Sequence, residues 1–115
     1  MSTRPEVLSV QREGDTARLS LHIPGDLMYF RGHFQQVPLL PGVVQVDWAI
    51  RLAQAQFALP PHFKKLSALK FMRVLSPGTQ TELQLHWQRD RGELSFRYTS
   101  GDTIYSSGRI QFAGA

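Results

Sequence analysis

The sequence contains no cysteine, which excludes disulfide bonds, thiolate metal ligands and a cysteine nucleophile. It also lacks any apolar run long enough to cross a bilayer, and the stretch from Met1 to Glu6 is not the uninterrupted apolar segment of a secretory signal. A cytoplasmic protein without a membrane segment is therefore the simplest interpretation.

Positive charge is in excess but is not concentrated in any part of the chain. The formal net charge is +4, and the basic residues are scattered from Arg4 to Arg109, which argues against nucleic acid as a partner. The positive electrostatic potential of such a surface suits an acidic protein or a phosphate-bearing ligand. No metal site is predicted, because His22, His62 and His86 share no metal-ligand spacing with one another or with nearby carboxylates.

Repeats, linkers and low-complexity tracts are also missing. At 115 residues, 42% of them hydrophobic, the chain has the size of one ordinary domain, so we expect a single domain over residues 1–115.

The first part of the chain predicts a β-hairpin. Val7 to Val10 and the alternating run from Ala17 to Ile23 are the two strands, around a turn near Gly14.

A loop and one long helix are predicted next. From Pro24 to Pro41 the alternation stops, and glycine, proline and aromatic residues indicate a shaped loop. Pro41-Gly42 then opens a run to about Leu59 that is apolar on nearly every side, and Pro60-Pro61 ends it. A helix that is apolar all round is typically buried.

Period-two alternation returns after the helix and predicts four consecutive strands. They are Leu66 to Val74, Leu83 to Trp87, Leu94 to Tyr98 and Ile104 to Phe112. A hairpin, a loop, one apolar helix and an antiparallel meander make an α+β domain whose sheet must wrap the helix, which is the pattern of the hot-dog fold. Open strand edges predict that two such sheets pair side by side in a dimer.

The most informative motif lies between Phe30 and Trp48. Its residues are Gly32-His33-Phe34, Pro38, Pro41-Gly42-Val43 and Asp47, and a second block follows at Lys70-Phe71 and Pro77-Gly78. This pattern resembles the active-site signature of the 3-hydroxyacyl-acyl-carrier-protein dehydratases of type II fatty-acid synthesis, which have the hot-dog fold. The run that begins at Tyr29 and the Asp-Trp pair resemble the small dehydratases of aryl polyene pathways in particular.

The resemblance implies three chemical roles. His33 removes the C2 proton, as suits an imidazole that is neutral near physiological pH. Asp47 protonates the departing C3 hydroxyl, provided that an apolar tunnel keeps it protonated or that it acts through an ordered water. The N–H of Gly42 binds the thioester oxygen, because a helix N-terminus favours negative charge. In the resembled family the histidine and the carboxylate come from different protomers.

The same resemblance implies a substrate tunnel and a carrier. Tyr29, Phe30, Phe34 and Val43 are candidates for lining an acyl tunnel, although core packing also accounts for such residues. The substrate is held on the phosphopantetheine arm of an acyl carrier protein, so no further cofactor is expected.

Two residues depart from the family's pattern. Gln35 replaces a proline, which affects the rigidity of the loop. Arg51 stands where the family has a glutamine that holds the catalytic carboxylate. A guanidinium one turn from Asp47 favours the ionised carboxylate and so opposes its role as a proton donor. The two residues also have the spacing of an ordinary helix ion pair, so a purely structural role for Asp47 stays open.

We therefore expect a dehydratase that gives trans-2-enoyl thioesters, and two alternatives stay open. One is a hot-dog thioesterase that uses the carboxylate to activate water. The other, which Arg51 favours, is a catalytically weak subunit that binds acyl carrier protein or completes a heterodimer with a related dehydratase. The expected partners are the carrier protein and a second protomer, with a higher assembly left open, and with no nucleic acid and no membrane.

Overall fold

The structure is a computed structural model of the chain and describes residues 4–25 and 40–113. Most of the predicted loop lies outside these ranges. His33 and the candidate tunnel residues Tyr29, Phe30 and Phe34 therefore lie outside the described residues.

One helix and an antiparallel sheet make up the described part of the chain, which confirms the α+β class. The elements are β1 (Glu6–Glu13), β2 (Thr16–His22), α1 (Gly42–Gln56), β3 (His62–Phe71), β4 (Gln80–Gln88), β5 (Glu93–Ser100) and β6 (Thr103–Ala113). The six strands form one sheet in the order β1-β2-β4-β5-β6-β3, and every neighbouring pair is antiparallel. The helix of the described residues is not long and apolar enough to span a lipid bilayer.

The sheet order corrects the predicted meander of four consecutive strands. Only β4, β5 and β6 follow one another in the sheet, whereas β3 pairs with β6 at the far edge. Tight turns join the three meander strands, and Gly101 in the two-residue turn between β5 and β6 has a φ of 56°, which suits such hairpins. The longer segment after β3 carries the chain back across the sheet to β2, a crossing that alternation alone does not reveal.

The core lies between the sheet and α1. Alternate residues of β2, β4, β5 and β6 face the helix and are buried, among them Leu21, Leu83, Phe96 and Ile110. From the helix, Trp48 packs into the same core. The period-two pattern therefore identified the inner face of the sheet correctly.

The helix is shorter and less enclosed than the sequence predicts. It ends at Gln56 instead of about Leu59. It also has an exposed stripe at four-residue intervals, formed by Val43, Asp47, Arg51 and Ala55. The prediction of burial on every side was wrong for the single chain, because one sheet covers only one side of a helix.

Strand β3 begins earlier than predicted and contains a bulge. It runs from His62 to Phe71 instead of from Leu66 to Val74. Ser67 stands opposite Arg109 and Lys70 opposite Ser107, so β3 has one residue more than β6 over this stretch. Ala68 lies in the bulge with a φ of 51°, a left-handed conformation that is uncommon for alanine.

Candidate active site

The candidate site begins where α1 begins. Pro41 is the N-cap, with a φ of −59°, and its side chain makes no capping hydrogen bond. Its carbonyl oxygen accepts hydrogen bonds from the N–H groups of Val44 and Gln45, at 3.1 and 3.2 Å. The N–H of Gly42 has no acceptor among the described residues. The first turn of α1 therefore presents a backbone donor that an anionic oxygen can use.

Gly42 is covered by the ring of Phe71 from β3. A Cβ atom at position 42 would lie 2.5 Å from Cζ of that ring, closer than carbon atoms approach without displacement. Any larger residue at position 42 would displace this ring, so glycine allows the close packing; its φ is not in the left-handed region and gives no further reason for glycine. This contact brings together two parts of the motif, Pro41-Gly42 and Lys70-Phe71, that lie far apart in the sequence.

Asp47 lies five residues beyond Gly42 on the exposed stripe of α1. Its Oδ2 accepts a hydrogen bond from Nε of Arg51 at 2.9 Å, which is the helix ion pair that the spacing predicts. The side chain of Asp47 is 51% exposed and that of Arg51 is 62% exposed. In the single chain Asp47 is therefore a solvated, paired carboxylate, and the apolar tunnel that a proton donor needs is not formed by the described residues.

Apolar side chains are exposed near the same end of the helix. Val43, a candidate tunnel residue, is 76% exposed. On β3 and just after it, Leu69, Phe71, Met72 and Val74 are also exposed. We call these four residues the β3 apolar surface. Val43 and the β3 apolar surface therefore do not form a closed tunnel wall within the described residues.

A buried polar network that sequence analysis missed underlies the helix start. Gln45, 3% exposed, donates from Nε2 to the carbonyl oxygen of Leu40 at 3.0 Å. Its Oε1 accepts a hydrogen bond from Oγ of Ser106 at 2.7 Å, and its backbone oxygen accepts one from the hydroxyl of Tyr98 at 2.6 Å. Burial raises the pKa of Tyr98 far above its usual value, and the negative charge of Asp47 raises it further. The signal was a glutamine between two apolar residues, Val44 and Val46, in the first part of the helix.

A cleft of about 640 Å³ lies on the opposite, outer face of the sheet. Arg18, Lys70, Arg97 and Arg109 line it, and they alternate along their strands with residues that face the core. The lining does not include Gly42 or Asp47, so the cleft is separated by the sheet from the candidate site. Within residues 4–25 and 40–113, no group of three His, Asp or Glu side chains is arranged to hold a metal ion.

Comparison with known proteins identifies one family and its relatives. Residues 9–109 match the model of the ApeI-like family, described as ApeI dehydratase. A 3-hydroxyacyl-[acyl-carrier-protein] dehydratase FabZ of Natranaerobius thermophilus is 26% identical over 110 residues, covering 87% of this chain and 78% of the relative. The corresponding FabZ of Chloroflexus aggregans is 32% identical over 95 residues, covering 74% and 66%.

Solved structures extend the likeness to the fold. The dehydratase heterocomplex ApeI:P of Xenorhabdus doucetiae has a chain that is 34% identical, with a TM-score of 0.87 and coverage of 94% of this chain and 96% of that one. An uncharacterised protein of Erwinia carotovora is 35% identical, with a TM-score of 0.79 and coverage of 93% and 94%. Together with the single helix and antiparallel sheet, these likenesses confirm the predicted hot-dog fold.

Proposed function

Because this chain belongs to the ApeI-like dehydratase family, we propose that it removes water from 3-hydroxyacyl groups held as thioesters on an acyl carrier protein, in fatty-acid or polyene biosynthesis. The observation that carries the proposal is the family match over residues 9–109. The product is a trans-2-enoyl thioester, and the pantetheine arm is part of the substrate, so the reaction needs no separate cofactor. The cytoplasmic location expected from the sequence stays a prediction.

The reaction assigns a task to each of three groups. His33 takes the C2 proton, the C2–C3 double bond forms, and the C3–O bond breaks as Asp47 gives a proton to the departing hydroxyl. The N–H of Gly42 donates to the thioester oxygen, on which negative charge develops. The N–H of Gly42, which has no acceptor among residues 4–25 and 40–113, and the carboxylate about one and a half turns further along the same helix support this assignment.

The site needs a second protomer to be complete. Asp47 and Val43 are exposed, yet a carboxylate that must carry a proton at neutral pH requires an apolar surrounding. We propose that a second chain lies against the β3 apolar surface and encloses Asp47, with Tyr29, Phe30 and Phe34 lining the acyl tunnel. The related ApeI:P structure is a heterocomplex, which supports a related dehydratase as partner besides a second copy.

The carrier protein is the proposed macromolecular partner. Lys64, Lys65, Lys70 and Arg73 are exposed along β3 and just beyond it, close in sequence to Phe71, which contacts Gly42. An acidic carrier protein bound to these cations would place its phosphopantetheine arm near the start of α1.

A second candidate function follows from the ion pair of Asp47 with Arg51. The carboxylate is already held by Arg51 and is less free to act on a substrate, so the chain can instead serve as a weakly active subunit that completes a dehydratase heterodimer. The heterocomplex formed by the related ApeI protein favours the same idea.

One assay separates these functions. Purified protein is incubated with 3-hydroxyacyl carrier protein, and the acyl group is followed by mass spectrometry for the wild type, His33→Ala and Asp47→Asn. The matched control is Asp15→Asn, because Asp15 is also a partly exposed carboxylate paired with an arginine, Arg89, at 3.1 Å.

We expect loss of water with the wild type and the control, and at least about a hundredfold slower reaction with either site variant. Release of free acid would instead indicate a thioesterase. An inert wild type that becomes active when a related dehydratase is added would indicate the subunit role. Full dehydration by His33→Ala would show that the site assignment is wrong.

A further inference from the structure

Gln45 is a polar residue on the buried side of α1, and both ends of its side chain are used. The amide nitrogen donates to Leu40 and the amide oxygen accepts from Ser106, at 3.0 and 2.7 Å. A buried amide is tolerated only when such bonds are made. Gln45 therefore links Leu40, which lies just before the N-cap Pro41, to strand β6.

A third bond ties the same residue to β5. The hydroxyl of Tyr98, which is fully buried, donates to the backbone oxygen of Gln45 at 2.6 Å. Because burial raises the pKa of Tyr98, the hydroxyl keeps its proton and remains a donor. The first turn of α1 is thus held by two strands of the sheet.

These bonds determine the direction of the N–H of Gly42. The N–H of Leu40 donates to the oxygen of Leu75 at 2.7 Å and its carbonyl accepts from Gln45, so Leu40 is held on both sides. The ring of Pro41 then restricts the next φ. The oxygen of Pro41 accepts from Val44 and from Gln45, which orients the peptide plane that contains the N–H of Gly42.

We propose that Gln45 is a positioning residue for the reaction: through Leu40 and Ser106 it holds the N–H of Gly42 in the direction that meets the thioester oxygen. The inference rests on the proposed dehydration, in which Gly42 is the donor. Preorganised donors lower a barrier because they need no reorientation when charge develops. A glutamine with only a packing role would affect stability without a selective effect on turnover.

The test compares Gln45→Leu with Thr81→Val. Leucine preserves much of the volume but makes neither side-chain bond. Thr81 is the matched control, because it is 2% exposed and its hydroxyl donates to the oxygen of Thr99 at 2.9 Å, a bond between β4 and β5 that does not include a residue of α1. Gln45→Leu loses two buried hydrogen bonds and Thr81→Val loses one, so both are expected to have lowered melting temperatures.

We expect Gln45→Leu to lower kcat about tenfold or more while KM changes less than about threefold, and Thr81→Val to leave kcat within about twofold. Ser106→Ala, which removes one of the two bonds, should fall between them. If Gln45→Leu lowers kcat no more than Thr81→Val does, the inference is wrong.

A second readout does not depend on activity. The ¹⁵N relaxation order parameter of the Gly42 N–H should match the rigid helix interior in the wild type and in Thr81→Val, and should fall in Gln45→Leu. An unchanged order parameter in Gln45→Leu would overturn the positioning role. A fall in the order parameter together with an inactive wild type would mean that Gln45 orients Gly42 but that the proposed dehydration is wrong.

Discussion

Asp47 and Arg51 show how one neighbouring side chain changes what a catalytic motif can do. Their ion pair is about half exposed on both sides, so solvent screens it and it contributes little to stability. Its effect on the site is larger, because the Nε–H of Arg51 occupies Oδ2 of Asp47 at 2.9 Å, an oxygen that the departing hydroxyl would otherwise meet. Enclosure by a partner would strengthen this interaction, since screening by water is lost.

We predict that Arg51→Gln increases the dehydration rate. Glutamine is shorter and uncharged, so it binds Oδ2 of Asp47 less strongly than arginine does and leaves this oxygen free to meet the departing hydroxyl. The expected change is about threefold or more in kcat, with a change in unfolding free energy within about 0.5 kcal/mol. Steady-state kinetics and denaturant unfolding of the same preparations measure both quantities.

Arg89→Gln is the control for this substitution. It removes the other ion pair among the described residues, with Asp15, which lies away from the candidate site. Its kcat should equal that of the wild type. An Arg51→Gln variant no faster than Arg89→Gln would mean that the arginine does not restrain the carboxylate.

Among the elements, β3 is the one whose irregularity has consequences for the site. The bulge at Ala68 lets Lys70 face outward opposite Ser107 while Phe71 faces inward opposite the buried Ser106. Without the extra residue the two side chains would exchange faces, because successive residues of a strand alternate. The contact of Phe71 with Gly42 therefore depends on the bulge.

We predict that Ala68→Gly stabilises the protein. Alanine at a φ of 51° is strained by about 1 kcal/mol or more, which exceeds the entropy that glycine adds to the unfolded chain. The expected gain in unfolding free energy is about 0.5 kcal/mol, measured by urea denaturation.

Ala17→Gly is the reference for a regular strand position. Ala17 is 1% exposed in β2, so its change to glycine should lower stability by about 1 kcal/mol. If Ala68→Gly lowered the unfolding free energy as much as Ala17→Gly does, the bulge would not strain Ala68.

At the scale of the whole molecule, the two edges of the sheet differ in what lies beside them. Exposed apolar residues are found at both edges: Val7, Leu8 and Val10 on β1, and the β3 apolar surface with Phe63 on the other side. Within the part of the chain that the structure describes, the β3 edge adjoins the helix start, through the contact of Phe71 with Gly42, and the β1 edge does not. A partner at that edge would complete the candidate site, whereas a partner at β1 would not.

We predict that Val74→Lys weakens the proposed dimer and lowers dehydration with it. Val74 is 56% exposed, so a lysine there is tolerated by the folded chain but introduces an unpaired charge into the interface. Sedimentation velocity should show a shift toward the mass of a single chain, 13.1 kDa.

Leu8→Lys provides the comparison at the other edge. Leu8 is 48% exposed on β1, and its substitution should leave both the sedimentation coefficient and the activity unchanged. If Leu8→Lys dissociates the protein and Val74→Lys does not, the interface lies at β1 instead.

Much of the architecture was predictable, because the pattern that encodes it is local. Alternation at Leu19 and Leu21, or at Leu94 and Phe96, identifies inward-facing positions without knowledge of the partner strand. The neighbour of β3 was not predictable, since any alternating strand can pair with several others. The roles of His33, Asp47 and Gly42 rest on the motif and stay predictions.

The sequence by itself determined the family, the one long helix and the placement of Gly42 and Asp47 on it with Arg51 one turn away, because all of these depend on residue type and spacing. Only the tertiary structure decided that Phe71 covers Gly42, that both ends of the Gln45 amide are hydrogen-bonded, and that Asp47 lies on an exposed stripe of the helix. The physical reason is that burial and hydrogen-bond partners depend on which surfaces meet, and a one-dimensional pattern does not contain that information.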